Sequence, residues 1–218
     1  MGKFIVIEGL DGSGKTTQTA LLSEYLKKSS EVRELSFPCY GEKSCSLVDM
    51  YLSGELGDSP DDVNGYAASS FFAADRYISY LSDWKRDILD PDCTVVATRY
   101  TTSNAYHQLS KLPESEWDSF LEWIFDYEFE KLGLPRPDSV VLLSMNPELS
   151  LGNVKSRSSL TGQKMDIHEK DPEYLSRCYK AAAYAAEKCG WHVIECAPDG
   201  ELLSREAVFE EIKKALNL

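Results

Sequence analysis

Residues 9–16 read Gly-Leu-Asp-Gly-Ser-Gly-Lys-Thr, a spacing that lets consecutive backbone N–H groups curl around phosphate oxygens. Lys15 then reaches toward β- and γ-phosphates, and the Thr16 hydroxyl is a ligand for Mg²⁺. A helix starting near Lys15 adds its positive N-terminal end to the same anion site. Gly9, Leu10, Asp11, Gly12, Ser13, Gly14, Lys15, Thr16 and Thr17 are therefore the expected ATP-binding loop, against the alternative of a purely structural glycine-rich turn. Asp11 is awkward there, because a carboxylate repels phosphate. A sugar hydroxyl would justify it, and a turn-capping role is the alternative. Phe72 and Arg76 lie four residues apart and share one face of a helix. A ring for stacking and a guanidinium for a base-edge carbonyl suit a pyrimidine; the alternative is a core ring and a surface ion pair. Arg99 follows the third apolar run, at the carboxyl-end crevice where α/β sheets bind ligands.

The elements that must position these groups are legible as two periodicities. Short apolar, partly β-branched runs recur at residues 4–7, 32–37, 94–97, 139–143 and 192–196. Helical patterns separate them at 15–28, 44–52, 63–89, 114–131, 171–188 and 204–216. Alternation of this kind predicts an α/β domain with a five-stranded, mainly parallel sheet flanked by helices. Leu22, Tyr25 and Leu26 form the inner side of the first helix. Tyr174, Leu175, Cys178, Ala182 and Ala185 form that of the fifth. Residues 155–169, KSRSSLTGQKMDIHE, fit no core element. They are polar, contain Gly162, and carry Lys155, Arg157 and Lys164. A short lid bringing basic side chains onto a phosphate site reads this way; the alternative is a solvated loop.

The 218 residues are expected to form a single domain, 1–218, with that lid inside it. A hydrophobic content of 43% and a charged content of 27% are those of a soluble globular chain. The net charge of −13 repels nucleic-acid backbones, so no nucleic-acid partner is expected. No apolar run reaches membrane-spanning length, so neither a membrane partner nor a signal peptide is expected. Six cysteines without a CxxC pair read as free thiols of a cytoplasmic protein. The three histidines are scattered without metal-ligand spacing.

No Asn-Lys-x-Asp segment for guanine recognition is present, and the best Walker-B strand, residues 94–97, ends in Thr98 rather than a carboxylate. The size, the five-strand pattern and the basic segment before the last helices favour a nucleotide-phosphorylating kinase with the three-layer P-loop NTPase fold. At this point the chain resembles the thymidylate kinase family nearly end to end. The likeness rests on Ile7-Glu8-Gly9-Leu10-Asp11-Gly12-Ser13-Gly14-Lys15-Thr16-Thr17, Phe37-Pro38, Phe72-Ala73-Ala74-Asp75-Arg76, Arg99-Tyr100 and Gly133-Leu134-Pro135-Arg136-Pro137-Asp138. The resemblance implies transfer of the ATP γ-phosphoryl group to dTMP, a Mg²⁺ requirement and a homodimer. It also implies that Asp11 meets the deoxyribose 3′-OH, Phe72 and Arg76 the thymine, and Arg99 the acceptor phosphate. Phe37, Pro38, Tyr40, Ser103, Asn104 and Tyr106 would complete the substrate site, with Tyr106 crowding a ribose 2′-OH. Gly12 stands where some members carry an arginine, so the catalytic charge is expected from the lid. Arg157 would serve the ATP side and Lys164 the transferring group, beside Lys15 and Arg99.

Three positions depart from the family pattern. Thr98 replaces the aspartate of an Asp-Arg-Tyr motif, removing a negative charge near the metal, and Glu8 is the residue that could compensate as a second support. Tyr40 stands where many members have an arginine, and Ser144 where an aspartate is frequent. The departures keep two alternatives open: a catalytically weakened nucleotide-binding relative, and a kinase for another deoxynucleoside or its monophosphate.

Overall fold

The computed structural model describes residues 2–162 and 165–218, the side chains of Arg157 and Thr161 excepted. Strands β1 (Lys3–Gly9), β2 (Glu31–Ser36), β3 (Cys93–Thr98), β4 (Ser139–Ser144) and β5 (His192–Glu195) form one parallel sheet in the order β2-β3-β1-β4-β5. The pairing sets Ile7 beside Thr98 and Gly9 beside Leu143. The phosphate loop and the end of β3 therefore emerge together at the carboxyl edge of the sheet, where the strand order reverses.

Helices cover both faces. They are α1 (Lys15–Leu26), α2 (Ser46–Ser53), α3 (Gly65–Ser79), α4 (Lys85–Leu89), α5 (Thr101–His107), α6 (Trp117–Phe125), α7 (Pro147–Thr161), α8 (Pro172–Cys189) and α9 (Arg205–Leu216). Strand alternation decides which helix meets which face. Ile5 and Ile7 of β1 pack with Leu22 and Leu26 of α1 and with Val208, Ile212 and Leu216 of α9. Phe4 and Val6 point the other way, onto Trp84, Ile88 and Tyr100. A third cluster joins α5, α6 and α8 through Tyr106, Phe120, Tyr174 and Ala182. The expected three-layer α/β architecture is thus the one observed.

Several boundaries differ from expectation for physical reasons. The single helix expected over 63–89 is α3 and α4 joined by a π-helical segment, Tyr80–Trp84. The one expected over 114–131 is a 3₁₀ turn, α6 and a second π segment, Asp126–Lys131. Helix α5 escaped the pattern because every residue of it is buried, which leaves no polar face to mark a period. Helix α7 begins on the Asn146 cap, whose Oδ1 accepts the Glu148 N–H at 2.8 Å, with Pro147 in the first turn. It runs through the first half of the segment expected to be a loop from residue 155. Among the described residues no helix is long and apolar enough to cross a membrane. The six cysteines are free, and four of them are buried.

Candidate active site

A cavity of about 1020 Å³ opens at the carboxyl edge of the sheet, walled by the phosphate loop, α3, α5 and the turn 165–170. In the loop, Gly12 has φ +85° and a Cβ there would run into the Ser150 carbonyl. Helix α7 packs this closely because the Ser150 hydroxyl donates to the Asp11 carbonyl and Asn153 Nδ2 donates to Gly12 O at 3.0 Å. The position is therefore closed to any side chain, arginine included. Asp11, Gly12, Gly14, Lys15, Thr16 and Thr17 line the cavity. Leu10 instead turns into the core beside α8, and its backbone carbonyl serves Lys15.

Lys15 is buried, and its Nζ donates to Gly9 O and Leu10 O, each at 2.8 Å, with Asp11 Oδ1 at 3.5 Å. Burial and the nearby Arg99 guanidinium push the ammonium down to about 8. Arg99 has a left-handed φ of +65°, a costly conformation for a residue with a Cβ. It donates to Asp11 Oδ1 at 2.6 Å, to His107 Nε2 at 3.0 Å and to the Tyr106 hydroxyl at 3.3 Å. Burial opposes its charge, but Asp11, Tyr106 and Glu8 outweigh that and hold it well above the usual arginine value. Burial likewise works against the Asp11 carboxylate, yet Arg99 and Lys15 draw it well below the usual range. Asp11 thus sits between a cation on the triphosphate side and a cation at the end of β3.

Two expected assignments are corrected. Glu8 is fully buried and does not line the cavity; its oxygens accept from Tyr100 N, Thr102 Oγ1, Ser103 Oγ and Tyr106 Oη at 2.5–3.1 Å. With both oxygens so occupied it anchors the start of α5 and is not placed to ligate a metal directly. Tyr106 is fully buried too, its single hydroxyl proton shared between Glu8 Oε2 at 3.0 Å and Gly9 O at 3.1 Å. It cannot crowd a sugar, and the ring on the cavity wall is its neighbour His107. Thr98 does line the cavity, and its hydroxyl pairs with that of Thr19 at 2.8 Å.

The remaining wall is assembled from distant segments. Phe37, Pro38, Tyr40, Phe72, Arg76, Ser103 and Asn104 all reach the cavity. Asp75, adjacent to Arg76, pins the Tyr40 loop by accepting from Cys39 N at 2.8 Å and Ser44 Oγ at 2.6 Å. Tyr40 itself is exposed at the mouth. Of the lid residues, the Arg157 side chain and Lys164 lie outside the described residues.

Among the wall residues that sequence reasoning missed are His107, Gln108, Asp166, His168 and Glu169. Gln108 is completely buried, and neither its amide nitrogen nor its amide oxygen has a hydrogen-bond partner among the described residues. A lone glutamine gives no sequence signal. Asp166 and Glu169 cap one another, Glu169 N donating to Asp166 Oδ1 at 2.9 Å, a three-residue spacing that could have been noticed. Burial raises the Asp166 carboxyl to about 6. The His168 ring stacks on His107 with centroids 5.3 Å apart and bonds the Tyr51 hydroxyl at 2.8 Å. Burial, followed by Lys111, lowers His168 to about 3, so the ring is neutral.

Among the described residues no group of three or more His, Cys, Asp or Glu is arranged to hold a metal. The Thr16 hydroxyl and the Thr98–Thr19 pair suit a cation that arrives already held by phosphates, the usual mode for Mg²⁺.

The sequence profile of the family described as thymidylate kinase matches residues 7–207. The thymidylate kinase of Mycobacterium tuberculosis is 33% identical over 190 residues, covering 86% of each chain. A protein of Methanococcus maripaludis named probable thymidylate kinase is 30% identical over 218 residues, covering 99% of this chain and 96% of its own. The solved thymidylate kinase of Candida albicans superposes with a TM-score of 0.68 at 19% identity, covering 99% of this chain and 92% of that one, a likeness of fold. The chain belongs to the thymidylate kinase family.

Proposed function

We propose that this protein transfers the γ-phosphoryl group of Mg²⁺-ATP to the 5′-phosphate of dTMP, giving ADP and dTDP. The observation that carries the acceptor is Gln108, a fully buried amide with no hydrogen-bond partner among the described residues, on the cavity wall that also holds Phe72 and Arg76. A buried amide costs stability unless something bonds it. Thymine presents an N3–H donor flanked by two carbonyl acceptors, which complements one amide. Phe72 offers the stacking face, and Arg76 the donors for a ring carbonyl. The relatives' names support the same acceptor.

Phosphoryl transfer rests on positioning and positive charge. Lys15 and the loop N–H groups hold the triphosphate, Thr16 ligates its Mg²⁺, and Arg99 takes the acceptor phosphate once that phosphate displaces Asp11. Asp11 is then free to accept from the sugar 3′-OH. Arg157 and Lys164 supply further charge from the lid, as the resemblance implies. Bound Mg²⁺ neutralises charge building between the β- and γ-phosphates. The protein works in the cytoplasm as a homodimer. An outward stripe of α3 and the π-helical segment after it, with Ile78 and Leu81 each half exposed, supports that contact.

Coupled ADP release across dTMP, dUMP, dCMP, dGMP and thymidine tests the reading, with dTMP expected to give the highest kcat/KM. Thr98 favours one second reading, a nucleotide-binding relative of reduced activity. Tight binding of ATP and dTMP with no turnover of any acceptor would establish that instead.

A further inference from the structure

Glu128 is a buried carboxylate that none of the assignments above uses. It lies four residues beyond Ile124 on the buried stripe of α6, at the π segment that extends this helix. Its oxygens accept four hydrogen bonds. Arg76 gives two, Nε to Oε2 at 2.7 Å and Nη2 to Oε1 at 2.5 Å. Thr101 Oγ1 gives one to Oε2 at 2.7 Å, and Asn104 Nδ2 gives one to Oε1 at 3.0 Å. Both partners of the pair are buried, and two bonds from α5 lock the carboxylate that locks the guanidinium. A planar fork held along one edge has no rotational freedom left. The Nη1 edge makes no hydrogen bond among the described residues, and Arg76 lines the cavity.

This matters for which base is read. Gln108 has no partner to orient its amide, so it can present oxygen or nitrogen to a ligand. Asn104 has its Nδ2 committed to Glu128 and to Ser69 O. Arg76 is a group of fixed polarity, donor only, on that wall. Its direction is fixed by Glu128, the one carboxylate at ion-pair distance from it among the described residues. We infer that Glu128 is a positioning residue for base selectivity. It holds the Arg76 donors toward one edge of the base, so that a ring carbonyl there is accepted and an amino group there meets donor against donor. The inference rests on the proposed pyrimidine acceptor.

The test compares the full-length protein with Glu128→Gln, using dTMP, dCMP and 2-deoxyribose 5-phosphate as a base-less probe. Losing a charge-assisted pair should raise the dTMP KM about tenfold to a hundredfold with kcat kept within about threefold. The kcat/KM preference for dTMP over dCMP should shrink by about tenfold or more, and binding of 2-deoxyribose 5-phosphate should change less than about twofold. Arg76→Lys combined with Glu128→Gln should be no worse than Arg76→Lys alone. Equal losses for dTMP, dCMP and the base-less probe would show a merely structural residue and overturn the inference, as would an unchanged preference. If Glu128→Gln does not fold, Thr101→Val, which removes one of the four bonds, must show the same pattern at reduced size. Failure of the acceptor reading is seen separately, as wild-type protein that neither turns over nor binds dTMP. If wild-type protein binds dTMP without turnover, the same comparison is made on dissociation constants.

Discussion

The phosphate loop and the acceptor wall are built on opposite plans. The loop is nine contiguous residues working mainly through backbone, and when empty its charged side chains are paired, Lys15 on loop carbonyls and Asp11 with Lys15 and Arg99. Lys15 folds onto two loop carbonyls and approaches Asp11, which in turn holds Arg99. The acceptor wall draws single side chains from α3, α5 and the residue after it, the loop after β2 and the turn 165–170. It leaves a buried amide unbonded at Gln108. One half has its charged side chains paired at rest, while the other holds a buried amide with no partner among the described residues. Substitutions in the two halves should therefore differ in kind as well as in size.

The largest effect belongs to the loop. Lys15→Ala removes the charge nearest the transferring group and should cut kcat by about a hundredfold to a thousandfold or more, the scale for loss of one preorganised transition-state donor. Coupled ADP release measures it, and a residual rate within about tenfold of wild type would mean the transferring charge comes from elsewhere. On the wall, Gln108→Leu should move two observables in opposite directions. Acceptor affinity should fall by about tenfold or more, while the ligand-free protein gains about 1 kcal/mol from losing an unbonded buried amide. Calorimetric titration with dTMP and a urea melt report the two. A variant that loses stability instead would show the amide is bonded by water at rest.

How much was readable follows the same division. The loop could be read because its chemistry depends on order along the chain, and the five strands because alternation is local. The strand order was not readable, since β1 pairs with β3 and β4 through contacts that no local pattern carries. Phe72 and Arg76 were visible as an i, i+4 pair, but the partner of Arg76 lies 52 residues away. Glu128 did leave a trace, a carboxylate interrupting the apolar stripe Trp117, Phe120, Leu121, Ile124. Tyr106 was misread for His107 because α5 is buried all round. One residue of rotation there separates cavity from core, and burial on every side hides the rotation from a pattern search.

Smaller effects sharpen the comparison at its seam, where turn 165–170 and β3 join the two halves. His168 accepts no proton in the folded protein until about pH 3, whereas an unfolded histidine takes one near 6.5. Between those values acid protonates only the unfolded chain, so stability falls as pH drops below 6.5. By pH 5 the loss from this ring approaches about 2 kcal/mol. His168→Gln keeps an acceptor for Tyr51 and should flatten the change in urea midpoint between pH 7 and pH 5; an unaltered slope would assign the acid sensitivity to His107. The smallest expected change is at Thr98, paired through its hydroxyl with Thr19 at the end of β3. A carboxylate there keeps the Thr19 bond as acceptor and adds the negative charge that a phosphate-bound Mg²⁺ attracts. Thr98→Asp should therefore lower the Mg²⁺ concentration for half-maximal rate and raise kcat about threefold, near 0.7 kcal/mol. A slower enzyme with weaker Mg²⁺ dependence would mean that the hydroxyl pair itself orders the metal's water. The seam would then have been rebuilt around two threonines instead of weakened by the loss of one aspartate.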